Sequence, residues 1–218
     1  MKSVQVKGSA EPVRIGKILC IGRNYADHIK ELGNETPERP VIFTKPASSV
    51  IGEGEDIVIP PYSGDCHHEA ELALLIGKKG KDIEAADALS HVAGYGVAID
   101  LTLRDVQAEL KKKGLPWDIA KGFDTACPLS TFVQAGEVPD PQALRITLTV
   151  NGEKRQDGGT DLMIHRIPEL ISYLSSVFTL EPGDLVLTGT PAGVGPVKSG
   201  DRVVAEIGGV GRIEVPVR

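Results

Sequence analysis

Apolar positions in this chain come in short runs that alternate with turn-forming residues, a pattern that predicts many β-strands and few helices. The chain contains 25 glycines and 15 prolines, and these end most of the runs after a few positions. The segments with strand character are residues 17–21, 41–44, 56–59, 67–76, 93–101, 145–150, 185–187, 202–207 and 212–217. Helical spacing is confined to residues 25–32, 85–91, 103–113 and 166–180. We therefore predict an α+β fold, a mixed β-sandwich roll or distorted barrel with a few short helices.

Segment 67–76 carries two glutamates where an apolar strand is expected. Because side chains alternate along a strand, His67, Glu69 and Glu71 lie on one face. Two neighbouring carboxylates in a low-dielectric core repel each other, so the pair is costly unless a cation neutralises it. A divalent metal ion is one explanation, and an edge strand with a solvated polar face is the other.

Asp100 follows three apolar residues, where an ionised carboxylate is unexpected without a partner. Together with Glu69 and Glu71 it offers three hard oxygen ligands, which favour Mg²⁺ or Mn²⁺ over zinc. Taken alone, Asp100 could equally cap the helix that follows it. His67 and His68 do not have the spacing of a zinc motif, so we interpret them as structural or supporting residues. The metal interpretation depends on the trio and not on any single member.

His28 and Glu31 are three residues apart in the predicted helix 25–32, so their side chains share a face. Glu31 can orient His28 and raise its basicity, which is the arrangement of a base that activates water. The spacing equally allows a surface pair on a short amphipathic helix. The polar stretch 33–40 contains two prolines and predicts a mobile loop, so a lid is expected over residues about 24–39.

Lys121 lies within the short apolar stretch 119–123. It could supply positive charge to a developing oxyanion, or it could extend to the surface as many lysines do. The glycine-rich stretch 188–195 lacks the ending of a phosphate-binding loop, so nucleotide binding is disfavoured. Its backbone N–H groups could still bind a carboxylate.

Length and charge exclude several classes of protein. The chain has 218 residues and fits one domain over residues 1–218, with a short strand segment at 1–16. Its 24 basic and 30 acidic residues give a net charge of −6 without a basic block, which excludes non-specific nucleic-acid binding. No apolar run approaches the ~20 residues of a membrane helix, and no secretory signal is evident. With three widely spaced cysteines, we expect a reduced cytoplasmic protein without membrane contact.

Several short motifs follow one another in an order that matches a known family. They are Gly22-Arg23-Asn24-Tyr25 with His28, His68-Glu69-Ala70-Glu71, Ile99-Asp100, Arg104-Asp105 with Gln107, Lys121-Gly122 and Leu187-Thr188-Gly189-Thr190-Pro191. Together they resemble the fumarylacetoacetate hydrolase family over nearly the whole chain, from residue 17 onward. The length and the His28–Glu31 pair are similar to its compact acylpyruvase and oxaloacetate decarboxylase branch. The resemblance implies the fold of that family's C-terminal domain, usually assembled as a homodimer.

The resemblance also implies roles for single residues. The implied metal ligands, for Mg²⁺ or Mn²⁺, are Glu69, Glu71 and Asp100. The implied catalytic residues are His28, Glu31 and Lys121, the first two forming a dyad on the lid. The implied substrate-binding residues are Arg23, Arg104, Gln107, Gly189 and Thr190. Fumarylacetoacetase itself has one more metal carboxylate where this chain reads Ile21-Gly22-Arg23-Asn24, which leaves more of the ion free for water and a bidentate substrate.

The activity that the resemblance implies is metal-dependent hydrolysis of a C–C bond in a 3-acylpyruvate, such as acetylpyruvate or fumarylpyruvate. Decarboxylation of oxaloacetate uses the same enolate chemistry and is a possible second activity. Two alternatives stay open: keto–enol tautomerisation of oxaloacetate, and non-catalytic binding of a metal and an oxo acid. In each case the partner is a small 2-oxo acid or β-diketo acid.

Overall fold

Short strands dominate the computed structural model, which describes residues 2–218. Most of the apolar runs become strands because glycine, proline or a polar turn stops each run before a helix could form. The strands are β1 (Ser3–Val4), β2 (Val13–Arg14), β3 (Ile18–Gly22), β4 (Val41–Lys45), β5 (Val50–Ile51), β6 (Cys66–His68), β7 (Ala70–Ile76), β8 (Val92–Ile99), β9 (Thr102–Leu103), β10 (Cys127–Pro128), β11 (Val133–Gln134), β12 (Arg145–Val150), β13 (Glu153–Gly159), β14 (Leu185–Leu187), β15 (Gly195–Val197), β16 (Arg202–Ile207) and β17 (Gly211–Pro216).

The central sheet has the strand order β11-β8-β7-β14-β3-β4. The β14–β3 pair is parallel and the other pairs are antiparallel. Every residue of β7 and β14 is buried, as expected for continuous apolar strands in the middle of a sheet. The backbone that carries the charged side chain of β7 is therefore rigid and excluded from solvent.

A second sheet, β13-β12-β16-β17, packs its apolar side chains into the same core as β7 and β8. Its β12–β13 hairpin turns at Asn151 and Gly152, whose φ values of 54° and 81° fit the type I′ turn that this dipeptide predicts. A smaller sheet, β15-β6-β9, lies at the end of the central sheet.

The α-helices are few and short, as predicted. They are α1 (Ala26–Glu31), α2 (Arg104–Lys113), α3 (Asp118–Lys121) and α4 (Ile167–Val177). The 3₁₀ helices are Ala47–Ser49, Ala85–His91, Ala135–Glu137 and Thr160–Leu162. Helix α4 lies within the predicted helical segment 166–180 and buries Ile167, Leu170, Ile171 and Leu174, which have helical spacing. Within residues 2–218, no helix has the length and apolar character needed to cross a membrane.

Three local predictions differ from the structure. Segment 67–76 is not one strand, because the chain passes from the small sheet to the central sheet at Glu69. Segment 56–59 makes only an isolated bridge from Ile57 to Val217, since Pro60 has no N–H with which to continue a ladder. The predicted helix 85–91 is a 3₁₀ helix.

Thr102 and Asp105 have the spacing of a capping box, but the structure does not use it at the start of α2. The N-cap residue is Leu103, which has no side-chain cap. Asp105 instead accepts hydrogen bonds from Ser63 Oγ at 2.7 Å and from the N–H of Gly64 at 2.9 Å. Helix α2 thus begins on a loop anchored by one of its own acids, and it ends at Gly114 with φ 65°.

The α+β prediction is confirmed, and the sheets of residues 2–218 form a layered roll that does not close into a single barrel. The three cysteines are free and buried. Burial raises the pKa of Cys66 and of Cys127 to about 12, so both thiols stay protonated at neutral pH.

Candidate active site

The register of β7 and β8 brings the three predicted carboxylates together. Ala70 pairs with Ile99, so Glu69, just before β7, and Asp100, just after β8, lie at the same end of the two antiparallel strands. Glu71 is the residue after Ala70 on β7. The N–H of Asp100 donates to the carbonyl of Glu69 at 2.8 Å. One oxygen from each of Glu69, Glu71 and Asp100 lies within 4.8 Å of the others, and all three residues are buried.

Basic side chains already compensate two of these carboxylates. Lys121 Nζ lies 2.9 Å from Glu69 Oε2 and 2.8 Å from Asp100 Oδ2. Lys45 Nζ lies 2.8 Å from Asp100 Oδ1, and Arg104 Nη2 donates to Glu69 Oε1. Lysine and arginine thus supply the positive charge that the buried Glu69 and Asp100 require.

Glu71 is the exception. The hydrogen bond found for its carboxylate comes from the N–H of Gly189, at 2.7 Å. Burial raises the pKa of Glu71 well above its usual range, and the charges of Asp100 and Glu69 raise it further. This is the behaviour of a carboxyl group that lacks a cation of its own.

Glu69 and Lys121 show the opposite behaviour. Burial alone would raise the pKa of Glu69, but Lys121 and Arg104 outweigh it and hold that pKa well below its usual range. Burial alone would lower the pKa of Lys121, but Asp100 and Glu69 hold it above its usual range. Both groups are therefore charged throughout the neutral pH range.

The donor set fits a hard divalent cation. It consists of carboxylate oxygens only, with no cysteine or histidine in the group, and this chemistry suits Mg²⁺ or Mn²⁺. His67 and His68 are not part of it: His67 Nε2 lies 3.0 Å from Asp65, and His68 Nδ1 lies 3.1 Å from Gln156. An ion at this position would also supply the charge that Glu71 lacks.

A cavity of about 270 Å³ opens onto the carboxylates. Most of the predicted site residues line it, namely Arg23, His28, Glu69, Glu71, Asp100, Arg104, Gln107, Lys121 and Thr190. Two predicted residues lie outside the lining. Gly189 reaches the site through its N–H bond to Glu71, and Glu31 lies behind His28.

In the His28–Glu31 pair, the histidine is buried and the glutamate is partly exposed. His28 is 6% exposed, which is not the exposure of a surface pair, and its Nδ1 lies 3.5 Å from Glu31 Oε2. Both carboxylate oxygens of Glu31 also accept from the N–H of Gly193, at 3.2 Å. Glu31 thus connects α1 to the glycine-rich loop as well as to His28.

Positive charge also accumulates around the cavity. Arg23, Arg104 and Lys111 all line it, and Arg104 Nη1 donates to Gln107 Oε1 at 2.9 Å. Burial lowers the pKa of Lys111, and the nearby charges of Arg23 and Arg104 lower it further. Since Arg104 already contacts Glu69, Arg23 and Lys111 are the cations of this group that suit an anionic ligand.

Lys45 and Gln156 are functional candidates that the sequence argument missed. Lys45 is 2% exposed; beyond its contact with Asp100, its Nζ donates to the carbonyls of Leu101, at 3.2 Å, and Ala126, at 3.0 Å. It ends an apolar run just before Pro46, and that position was the only available signal. Gln156 lies in a polar strand that gave no signal at all.

Known proteins of several kinds are similar to this chain. The mouse (Mus musculus) protein named "Oxaloacetate tautomerase FAHD1, mitochondrial" is 53% identical over 193 residues, which is 88% of this chain and 87% of the mouse protein. The protein of the same name from Arabidopsis thaliana is 50% identical over 201 residues, 92% of this chain and 90% of the plant protein. A crystal structure of fumarylpyruvate hydrolase from Pseudomonas aeruginosa, in complex with Mn²⁺ and pyruvate, superimposes with a TM-score of 0.96 at 40% identity, covering 99% of this chain and 95% of that one.

The family assignment follows from a wider match. The family profile described as fumarylacetoacetate (FAA) hydrolase C-terminal matches residues 17–218. This range contains every predicted site residue and all strands from β3 onward. The chain therefore belongs to the fumarylacetoacetate hydrolase family.

Proposed function

We propose that this protein is a divalent-metal-dependent oxaloacetate tautomerase, which interconverts the keto and enol forms of that four-carbon 2-oxo acid. The observation that carries the proposal is one small cavity lined by three carboxylates, a buried histidine base and a cluster of cations. The mouse and plant relatives named for this activity support it. Because of these relatives, we place tautomerisation ahead of the hydrolysis that the family resemblance implies.

The cation cluster supports a substrate with two carboxylates. One carboxylate and the keto oxygen of a 2-oxo acid are suitable ligands for a divalent ion. Arg23 and Lys111 are then available for a second carboxylate. Oxaloacetate and fumarylpyruvate have this second carboxylate, whereas acetylpyruvate does not. We therefore expect the dicarboxylates to be preferred.

His28 is the proposed base. It lines the cavity, and its Nδ1 lies 3.5 Å from Glu31 Oε2. In tautomerisation, His28 takes a proton from the carbon next to the keto group, and a proton is delivered to the keto oxygen. Glu31 fixes the ring orientation through Nδ1, so that Nε2 is left to transfer the proton.

A divalent ion on Glu69, Glu71 and Asp100 would supply Lewis-acid polarisation of the keto group. Lys121 carries a full positive charge beside the same carboxylates, so it can stabilise negative charge that develops on the substrate oxygen. Arg104 and Gln107, joined by their own hydrogen bond, form a preorganised pair of donors for the substrate carboxylate. Thr190 and the N–H of Gly189 complete the wall of the site.

The second candidate is hydrolysis of a 3-acylpyruvate to pyruvate and a carboxylic acid. The Pseudomonas structure with Mn²⁺ and pyruvate favours it. In this reaction His28 deprotonates a water that attacks the distal carbonyl, and the electron pair of the breaking C–C bond passes to the pyruvate enolate. Decarboxylation of oxaloacetate releases the same enolate with CO₂ and without an attacking water.

The deciding experiment assays purified protein with Mg²⁺ against oxaloacetate, fumarylpyruvate and acetylpyruvate, with the enol followed by its ultraviolet absorbance and the products identified. Accelerated enol–keto exchange without pyruvate or CO₂ supports tautomerisation, and pyruvate with fumarate supports hydrolysis. His28→Ala should remove the activity, whereas His91→Ala, at a remote histidine that contacts the carbonyl of Lys78, should not. No conversion of any substrate would overturn both candidates.

The same proposal includes Mg²⁺ as the ion used in the cell, residues 24–39 as the lid and a homodimeric, cytoplasmic protein. The contact of Glu31 with Gly193 supports the lid, because it is the kind of bond that opening would break. Exposed apolar side chains at Leu115, Ile119 and Val177 support self-association, and the free cysteines support a reducing compartment. Light scattering of the purified protein tests the dimer.

A further inference from the structure

Gln156 is a fully buried glutamine on β13, in the sheet that does not carry the metal candidates. Its Oε1 accepts from the N–H of Ala70 at 3.0 Å. Its Nε2 donates to Thr190 Oγ1 at 2.7 Å and to the carbonyl of Pro191 at 2.9 Å. A buried amide with this many partners is costly to leave unsatisfied and therefore rigid in its position.

The orientation of this amide is fixed by its backbone partners. The N–H of Ala70 can only donate and the carbonyl of Pro191 can only accept, so Oε1 and Nε2 of Gln156 cannot exchange places. Thr190 Oγ1 must then accept from Nε2, and its own hydrogen goes to the carbonyl of Ala70 at 2.8 Å. Gln156, Thr190 and Ala70 form a closed ring of directed hydrogen bonds.

This ring of hydrogen bonds holds the backbone between two of the proposed metal ligands. Ala70 is the residue between Glu69 and Glu71, and the chain changes sheets immediately before it. Both polar backbone groups of Ala70 are held by side chains of the ring. The separation and direction of the two glutamates therefore depend on Gln156.

The ring also determines what Thr190 offers to a ligand. Thr190 lines the cavity, but the hydrogen of its hydroxyl is used by Ala70. The hydroxyl therefore presents only a lone pair to a bound molecule, unless the ring opens.

We propose that Gln156 is a positioning residue with two separable parts: its carbonyl oxygen sets the metal ligands through Ala70, and its amide nitrogen sets the substrate wall through Thr190. The inference rests on the proposed function for its use of metal and substrate. It predicts that changes at Gln156 alter binding at a cavity that Gln156 does not line.

The test compares Gln156→Met, of similar volume but without hydrogen bonds, with a matched control at a second buried glutamine. Gln142 is 8% exposed, accepts from the N–H of Ile167 at 3.0 Å and donates to the carbonyl of Thr160, away from the cavity. Dissociation constants for Mn²⁺, and for pyruvate in the presence of Mn²⁺, are measured by titration calorimetry. Gln156→Met should weaken Mn²⁺ binding about tenfold or more, whereas Gln142→Met should lose thermal stability with unchanged Mn²⁺ affinity.

Gln156→Glu separates the two parts. It keeps an oxygen for the N–H of Ala70 but has at most one O–H, so it cannot donate to both Thr190 and Pro191. We expect it to retain Mn²⁺ affinity within about threefold and to weaken pyruvate binding about tenfold. It also serves as the test if Gln156→Met does not accumulate as folded protein.

Wild-type affinity for Mn²⁺ in Gln156→Met, or for pyruvate in Gln156→Glu, would overturn the proposal. Equal loss of Mn²⁺ affinity in Gln156→Met and Gln142→Met would also overturn it, because the effect would then be general destabilisation. Wild-type protein that binds Mn²⁺ and pyruvate but converts no substrate would refute the proposed function and leave this inference intact.

Discussion

At the scale of single residues, the three carboxylates of the site differ in how their charge is compensated. Glu69 and Asp100 each contact two basic side chains, whereas Glu71 receives a backbone N–H. Removing the charge from one of these residues should therefore have different consequences from removing it from another, even though all three are proposed ligands of the same ion.

Glu71→Gln should keep or slightly raise the free energy of unfolding of the metal-free protein, by at most about 1 kcal/mol, because a neutral amide replaces a carboxyl group that resists ionisation. Asp100→Asn should lower it by about 3 kcal/mol, because Lys45 and Lys121 lose a buried partner. Urea unfolding in EDTA measures both. Equal destabilisation by the two substitutions would contradict the assigned charges. Both variants should lose Mn²⁺ binding.

His68 predicts a pH dependence of stability. Burial lowers the pKa of His68 to about 4, below the unfolded value of about 6.5. The stability from a neutral His68 is thus present above pH 6.5 and is lost as the pH falls towards 4, by about 2 kcal/mol between pH 7 and pH 4.5. Urea unfolding of the metal-free protein at these two pH values checks it. His68→Gln, which has no titrating ring, should show a pH effect smaller by that amount.

At the scale of elements, helix α1 is connected to the glycine-rich loop by Glu31. The N–H of Gly193 donates to that carboxylate, and Gly193 has φ 95°. A Cβ at this position would lie 2.1 Å from the carbonyl oxygen of Arg155 on β13. Strand β13 therefore dictates the position of the loop, and through it the position of the His28–Glu31 pair.

Gly193→Ala should lower kcat about tenfold, equivalent to about 1.4 kcal/mol, because the displaced loop no longer holds Glu31. Mn²⁺ affinity should change little, since Gly193 contacts none of the carboxylate ligands. Gly200→Ala is the matched control: Gly200 has φ 92° and nothing within 4 Å of its Cβ position. It should lose stability but keep kcat. Steady-state kinetics with saturating Mg²⁺ measure both, and a normal kcat for Gly193→Ala would refute the connection.

The sequence was most informative where a local pattern determines the structure. Alternation placed Glu69 and Glu71 on one face, and three-residue spacing placed His28 beside Glu31. It failed where a distant segment intervenes: nothing near Glu69 announces that the strand breaks there, because the group that satisfies Ala70 comes from Gln156. The sequence likewise did not indicate that Lys45 compensates the charge of Asp100, because a lysine at the end of a strand usually extends to solvent.

At the scale of the whole molecule, the site brings its own counterions. Lys121, Lys45 and Arg104 neutralise most of its negative charge without metal, so the fold does not depend on the ion. EDTA should abolish activity while leaving far-ultraviolet circular dichroism unchanged, and Mg²⁺ should restore activity fully. At a concentration 100 times its Kd, Mg²⁺ should add about 2.7 kcal/mol to the free energy of unfolding. Full activity in excess EDTA, or loss of folded signal, would contradict this account.

The pairing of β7 with β8 has a consequence for folding fidelity. The proposed ligands come from two antiparallel neighbours, and a slip of one residue would turn Glu71 to the opposite face of the sheet and separate it from Asp100. Only the native register assembles the carboxylate group. Metal loading would therefore discriminate correctly paired chains from compact misfolded ones, and a refolding chain that binds Mn²⁺ has already completed the centre of its main sheet.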